Sequence, residues 1–219
     1  MEEEVELTKE KRYYLYVIMK RCLDIVGGLV GLVLILITSI ILFIPYRIGK
    51  NKGKMFFKQQ RIGKNGELFE IYKFRSMREN ADIYLLKNKE LYEKYIQNGY
   101  KLEPHEDPRI TQLGVLLRKT SIDELPQFIN VLKGDMSMVG PRPIVQEELN
   151  EYVKKNKAKE FLSMKPGITG VWQSSGRSNI QYPERVYLEI SYAANQSILK
   201  DLMIIFKTCF KVFKKEGAY

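Results

Sequence analysis

The chain has 219 residues, enough for one domain with a real core, and a formal net charge of +10 that suits nucleic acid, an anionic membrane surface or a diphosphate. Its two cysteines, Cys22 and Cys209, stand far apart, so no disulfide framework or CxxC metal site is available and a reducing cytosolic setting follows. A single histidine, His105, leaves no ligand set for zinc, and chemistry falls to carboxylates, Arg and Lys.

From Ile25 to Ile44 the chain reads IVGGLVGLVLILITSIILFI, an uncharged run that at ~1.5 Å per residue covers a ~30 Å hydrocarbon core. It exceeds a signal-peptide apolar region and has no small-residue cleavage site behind it, and so long a run is rare in the core of a soluble fold. Lys20 and Arg21 precede it, and Arg47, Lys50, Lys52, Lys54 and Lys58 follow, so the positive-inside rule lets neither end lie outside. A helix that enters and returns on one side satisfies both flanks, with Thr38 and Ser39 supplying hydroxyls at the bend; a simple spanning anchor stays open as the alternative. Asp24 lies one turn from Arg21, and pairing between them is expected to offset its burial. Gly27, Gly28 and Gly31 have no preceding strand and point to close helix packing instead of a dinucleotide loop. The expected organisation is an N-terminal cytoplasmic or interfacial segment at 1–21, a membrane helix at 22–46 and a cytoplasmic catalytic domain at 47–219.

Downstream, MFFKQQRIG and ELFEIYKFRSM flank Asn65-Gly66 and predict a β-hairpin with a type I′ turn over 55–77. Residues 80 to about 98 read as a polar, Tyr-rich helical segment, followed by a loop with Pro104 and Pro108. Ile110, Leu113, Leu116 and Leu117 give helical spacing to Lys119. Ser121-Ile122-Asp123-Glu124 then opens a helix running through Phe128, Ile129 and Leu132 to Gly134. A further helix fits 144–163, with loops over 165–185. Near the end Ile198, Leu199, Leu202, Ile205, Phe206, Cys209 and Phe213 form an apolar stripe. Two readings fit it: a helix lying on an anionic membrane surface, or one packed on the domain. The expected fold is α+β and mainly helical. IYKFR interleaves aromatic and basic residues as nucleic-acid binders do, but a hairpin strand explains it without an RNA-binding signature, and nucleic acid is not expected as a partner.

The centre of interest is Arg118, Ser121-x-Asp123-Glu124, Gly134-Asp135 and Pro141-Arg142-Pro143. Locally, Ser121 with Glu124 reads as a capping box, and Asp123 as favourable charge at a helix N-terminus, where the dipole keeps it ionised. Adjacent carboxylates on a helix also point about 100° apart, so one faces a substrate while the other assists from the side.

Four stretches, KRCLDIVGG, FFKQQRIGKNGELFEIYKFRSM, DPRITQLGVLLRKTSIDELPQFINVLKGDMSMVGPRP and KPGITGVWQSSGR, carry a resemblance to the small monotopic phosphoglycosyl transferases, or bacterial sugar transferases, running from Lys20 to about Lys215. The resemblance implies transfer of a sugar phosphate from a UDP-sugar to polyprenol phosphate on the cytoplasmic face of the bacterial plasma membrane, in capsule, exopolysaccharide or glycoprotein assembly. It implies Asp123 as nucleophile, Glu124 as its dyad partner, Mg²⁺ met by Asp123, phosphate contacts from Arg118 and Arg142, and a nucleotide-side loop at Pro141 and Pro143. It also implies a re-entrant helix and amphipathic helices against anionic lipid, and a homodimer is compatible with it. This chain departs from relatives in two places: the Ser-Pro kink of the membrane helix is replaced by Ile37-Thr38-Ser39, and Leu188-Glu189 stands before Tyr192 where relatives carry Leu-Asp. A catalytically silent membrane-anchored scaffold of polysaccharide assembly is the alternative, and the intact dyad and arginines argue against it.

Overall fold

The structure, a computed structural model, describes residues 2–98, 100, 102, 106–176 and 180–214, so His105, Pro104 and Lys215 lie outside it, as does the side chain of Phe213. Helix α1 runs as one helix over Glu2–Phe43, 42 residues, or ~63 Å at 1.5 Å per residue. It passes residue 22 and Thr38-Ser39 without interruption, and the chain turns only after it, in a short 3-10 turn at Pro45–Arg47. Among the described residues this is the one helix long and apolar enough to cross a membrane.

One stripe of α1 is buried: Asp24, Gly28, Gly31, Ile35 and Leu42, recurring every three, four or seven residues as a helix face requires. The glycines do there what their spacing predicts. A Cβ on Gly31 would lie 2.0 Å from Phe128 Cγ, one on Gly28 2.6 Å from Leu132 and one on Gly27 2.6 Å from the Met138 sulfur. The other faces expose Ile25, Val26, Leu29, Val33, Ile37 and Ile40.

The expected Asp24–Arg21 pair does not form. Arg21 donates to the carbonyls of Val131 and Leu132 at 2.8 and 2.9 Å, while Asp24 accepts from Ser137 Oγ and Met138 N at 2.8 and 2.7 Å. The reason is that the open carbonyl end of a helix attracts a guanidinium, and a strand start offers the carboxylate directed N–H and O–H donors.

Strands β1 (Phe56–Ile62) and β2 (Leu68–Phe74) pair antiparallel as expected, from Phe56 opposite Phe74 to Ile62 opposite Leu68. Asn65 and Gly66 take φ of 58° and 84°, the positive values a type I′ turn needs, and Glu67 N donates to Lys64 O at 3.2 Å. The 80–98 segment is two helices, α2 (Ala81–Lys87) and α3 (Lys89–Gln97). They part at Asn88, whose side chain accepts from Leu91 N and caps the second.

Helix α4 (Gln112–Lys119) is capped by Thr111, and α5 (Gln127–Lys133) ends on Gly134 at φ 92°. The predicted 144–163 helix is also two, α6 (Gln146–Val153) and α7 (Ala158–Leu162), and α8 (Val171–Ser175) and α9 (Glu184–Ala194) follow. Between them the three-residue strands β3 (Ser137–Val139) and β4 (Gly167–Thr169) pair in parallel. They are too short to print a period-2 pattern in the sequence.

In α10 (Ile198–Lys214) one face packs on the domain and another stays exposed. Asp201 and Ile204 are buried against the domain, whereas Leu199, Met203, Phe206 and Phe210 are exposed. The fold is mainly helical with two small sheets, one antiparallel and one parallel.

Candidate active site

The 3-10 turn Ile122–Glu124 lies between α4 and α5, and its alternation places the dyad. Ile122 and Leu125 pack against the cluster of Ile35, Leu42, Tyr46, Phe74 and Leu117, anchoring the turn from below. Asp123 is 7% exposed, whereas Glu124 is partly open.

The expected capping box is absent. Ser121 sits at φ 56° in the left-handed region and makes no side-chain cap bond. Pro126, lacking an N–H, keeps α5 from extending back through the dyad, so the segment tightens into a separate 3-10 turn. Asp123 is therefore removed from the N-terminus of α5, and the helix dipole does not set its charge. Burial does: desolvation pushes its carboxyl up to about 6. The positive charge of Lys73 opposes this, Glu124 adds to it as a like charge, and Arg118 and Arg142 oppose it in turn.

Three elements deliver those cations. Lys73, on β2, donates to Glu124 Oε1 at 2.9 Å. Arg118, in the last turn of α4, is anchored by its Nε to Ser76 Oγ at 3.0 Å. Arg142, in the loop after β3, reaches Glu124 Oε1 at 3.5 Å. All of these line one cavity of about 760 Å³. The structure thus brings Asp123, Glu124, Arg118 and Arg142 together as the sequence leads one to expect. Of the Pro141-Arg142-Pro143 trio, Arg142 lines the cavity, while the prolines are buried on either side of it. Pro141 O accepts from Gly167 N at 2.8 Å, which holds the loop on β4.

Two carboxylates beside three cations can take a hard divalent ion only together with substrate. Among the described residues no group of three or more His, Cys, Asp or Glu is placed to hold a metal ion. Mg²⁺, however, keeps several waters and is usually bound by one or two carboxylates plus substrate phosphates. The dyad fits that donor set.

Sequence reading missed several parts of the site. Lys73 sits inside IYKFR, where strand alternation alone does not show that it faces Glu124. The neighbouring Arg75 is taken up by the backbone: Nε donates to Lys54 O at 2.7 Å and Nη1 to Met77 O at 3.1 Å. Glu189 is fully buried on α9, accepts from Arg142 N at 3.1 Å, hydrogen-bonds the Tyr152 hydroxyl and lies 3.5 Å from Arg185 Nε. Its only signal was the acid position already noted before Tyr192.

The chain matches the family described as "Bacterial sugar transferase" over residues 15–215. It is 42% identical over 92% of its length to the undecaprenyl-phosphate galactose phosphotransferase of Salmonella typhimurium, of which it covers 42%. It is 46% identical over 97% of its length to the galactosyl transferase CpsE of Streptococcus agalactiae, covering 46% of that protein. It is 40% identical over 91% of its length to the exopolysaccharide production protein ExoY of Rhizobium meliloti, covering 88%. The chain thus spans under half the length of the first two relatives and most of the third, and with the family matched across nearly all its residues it belongs to the bacterial sugar transferase family.

Proposed function

We propose that this chain transfers a sugar phosphate from a UDP-sugar to polyprenol (undecaprenyl) phosphate, giving polyprenol-diphosphate-sugar and UMP, in two steps through an aspartyl phosphosugar on Asp123. The observation that carries the reading is a buried Asp123 beside Glu124, facing Lys73, Arg118 and Arg142 in one cavity. A carboxylate attacking a diphosphate approaches like charge, and permanently charged arginine forks at the oxygens reduce that repulsion. The names of relatives that act on undecaprenyl phosphate support the acceptor class.

In the first step an Asp123 oxygen forms a bond to the sugar-bearing phosphorus while the bond from that phosphorus to the UMP oxygen breaks, and UMP leaves with the electron pair. In the second step an oxygen of the lipid phosphate attacks the same phosphorus, and the Asp123 carboxylate departs. Glu124, held by Lys73 and Arg142, assists from the side. Mg²⁺, met by Asp123, would supply further neutralisation of the phosphate oxygens when bound.

The way α1 is held supports a membrane placement. Near one end of its apolar run Lys20 donates to Val139 O at 3.0 Å and pairs with Asp201 at 2.8 Å; beyond the other, Tyr46 donates to Arg75 O at 2.5 Å. One polar domain therefore flanks the run from end to end, over the 24 residues or ~36 Å of helix from Lys20 to Phe43 and the turn that follows it. A helix crossing the bilayer would drag that domain into hydrocarbon, which supports a one-sided, re-entrant or in-plane seat on the cytoplasmic face. The exposed apolar residues of α10 suit the same surface, with anionic lipid as its partner.

The test is a donor labelled in its sugar, presented to the purified protein without lipid. Label is expected to stay on the denatured chain with release of UMP, to discharge when polyprenol phosphate is added, and to be abolished by Asp123→Asn. Near-normal transfer by Asp123→Asn, or no UMP without lipid, overturns the covalent route.

A further inference from the structure

Beyond Arg142 the cavity continues along a wall that the transfer steps do not use. Trp172, in α8, is buried and donates its indole N–H to Ile180 O at 2.8 Å. The guanidinium carbons of Arg185 and Arg142 lie 4.3 and 5.8 Å from its ring centroid, so the wall is continuous from Glu124 through Arg142 and Trp172 to Arg185.

Arg185, on α9, is 5% exposed; its Nη1 donates to Glu148 Oε2 at 3.1 Å, and its Nη2 makes no hydrogen bond among the described residues. Arg61, on β1, faces Glu148 at 3.7 Å and has an Nε in the same condition. Buried N–H donors without acceptors cost free energy that a ligand's oxygens would recover. The charges here already cancel, with Arg61 and Arg185 set against Glu148 and Glu189. This end therefore calls for neutral acceptor oxygens beside an aromatic and guanidinium surface, not for a further phosphate.

We propose that it is the nucleoside subsite of the donor: the uracil and ribose lie against the Trp172 wall, Arg185 and Arg61 donate to their oxygens, and the diphosphate lies at Arg142. This rests on the transfer reading above, which sets the phosphates at Arg142 and hence the nucleoside beyond it. A site built to hydrogen-bond a group discriminates strongly against a donor that lacks it, so Arg185 is the specificity-determining residue.

Trp172 is the chain's only tryptophan, so intrinsic fluorescence reports this wall directly. The full chain in lipid nanodiscs is titrated with uridine, with UMP and with inorganic pyrophosphate. Uridine and UMP are each expected to give a saturable change, and pyrophosphate a smaller one through Arg142 alone. Arg185→Lys should weaken uridine by about tenfold or more, as expected for lost hydrogen bonds from a charged donor. The titration of the unaltered protein decides even where that variant fails to fold, and Arg61→Gln gives a second variant with the same expected direction. No saturable response to uridine, or an equal response to pyrophosphate and UMP, overturns the subsite. UMP release from a UDP-sugar by a protein silent to uridine sinks the subsite and leaves the transfer reading standing. Uridine binding with no turnover of any UDP-sugar does the reverse.

Discussion

Glu189 on α9 accepts a hydrogen bond from the backbone N–H of Arg142 at 3.1 Å, so a buried carboxylate holds the loop whose guanidinium lines the cavity beside Glu124. The same carboxylate meets Tyr152 and Arg185, which ties the loop after β3 to the centre of the domain. Replacing it with Gln leaves one acceptor oxygen and removes the charge opposite Arg185. Glu189→Gln is expected to lower kcat about tenfold to a hundredfold through misplacement of Arg142. Glu189→Asp should lose less, and full activity of the Gln protein would show that the bond does not position the loop.

The raised carboxyl of Asp123 sets a pH limit on turnover. With a value of about 6, Asp123 is protonated below that pH, and on the proposed route, where it is the nucleophile, kcat/KM should fall on the acid side with an inflection near there. The sign for stability runs the other way. The folded protein holds a proton on Asp123 between about 4 and 6 that the unfolded chain has lost, so stability from this group falls as pH climbs through that window. Asp123→Asn should therefore be inactive yet raise Tm at pH 7 by a few degrees, on the order of 1 kcal/mol. A lower Tm for this variant would contradict the burial account.

Arg142→Lys and Arg118→Lys keep a charge but lose the planar fork. Each is expected to reduce turnover by about tenfold or more while the protein still sediments with membranes, because the exposed apolar residues proposed to meet the bilayer lie on α1 and α10, away from both arginines. An Arg142→Lys protein with full activity removes the bidentate role. Chelating Mg²⁺ should abolish UMP release reversibly, and turnover that persists in excess chelator would remove the metal from the reaction.

Gly31→Val would drive a branched side chain into the Phe128 ring, where even a Cβ lies 2.0 Å from Cγ. Overpacking of this kind costs about 1–3 kcal/mol. The expected result is a lower Tm in detergent and loss of the protein from the membrane fraction after mild heating. An unchanged melting curve would mean that α1 does not pack on α5 at this point.

Tags placed before Met1 and after Tyr219 should both resist protease added outside intact cells. External cleavage of the N-terminal tag alone would restore the spanning anchor and separate α1 from the domain that flanks it here.

Much of this was legible from residues one to four positions apart. The uncharged run from Ile25 to Ile44, the Asn65-Gly66 turn, the stop at Gly134 and the small-residue face at Gly27, Gly28 and Gly31 all rest on short-range rules of hydropathy, backbone freedom and side-chain size. The family motifs likewise named Asp123, Glu124, Arg118 and Arg142, and these line one cavity. Tertiary structure decided the rest, because the deciding contacts join residues far apart in the chain. Lys73 reaches Glu124 across 51 positions, Glu189 holds Arg142 across 47 and Asp24 meets Ser137 across 113. The protonation of Asp123 is the clearest case. In sequence it stands at the start of a helix, where a dipole lowers a carboxyl; in the fold it is buried, and desolvation raises it.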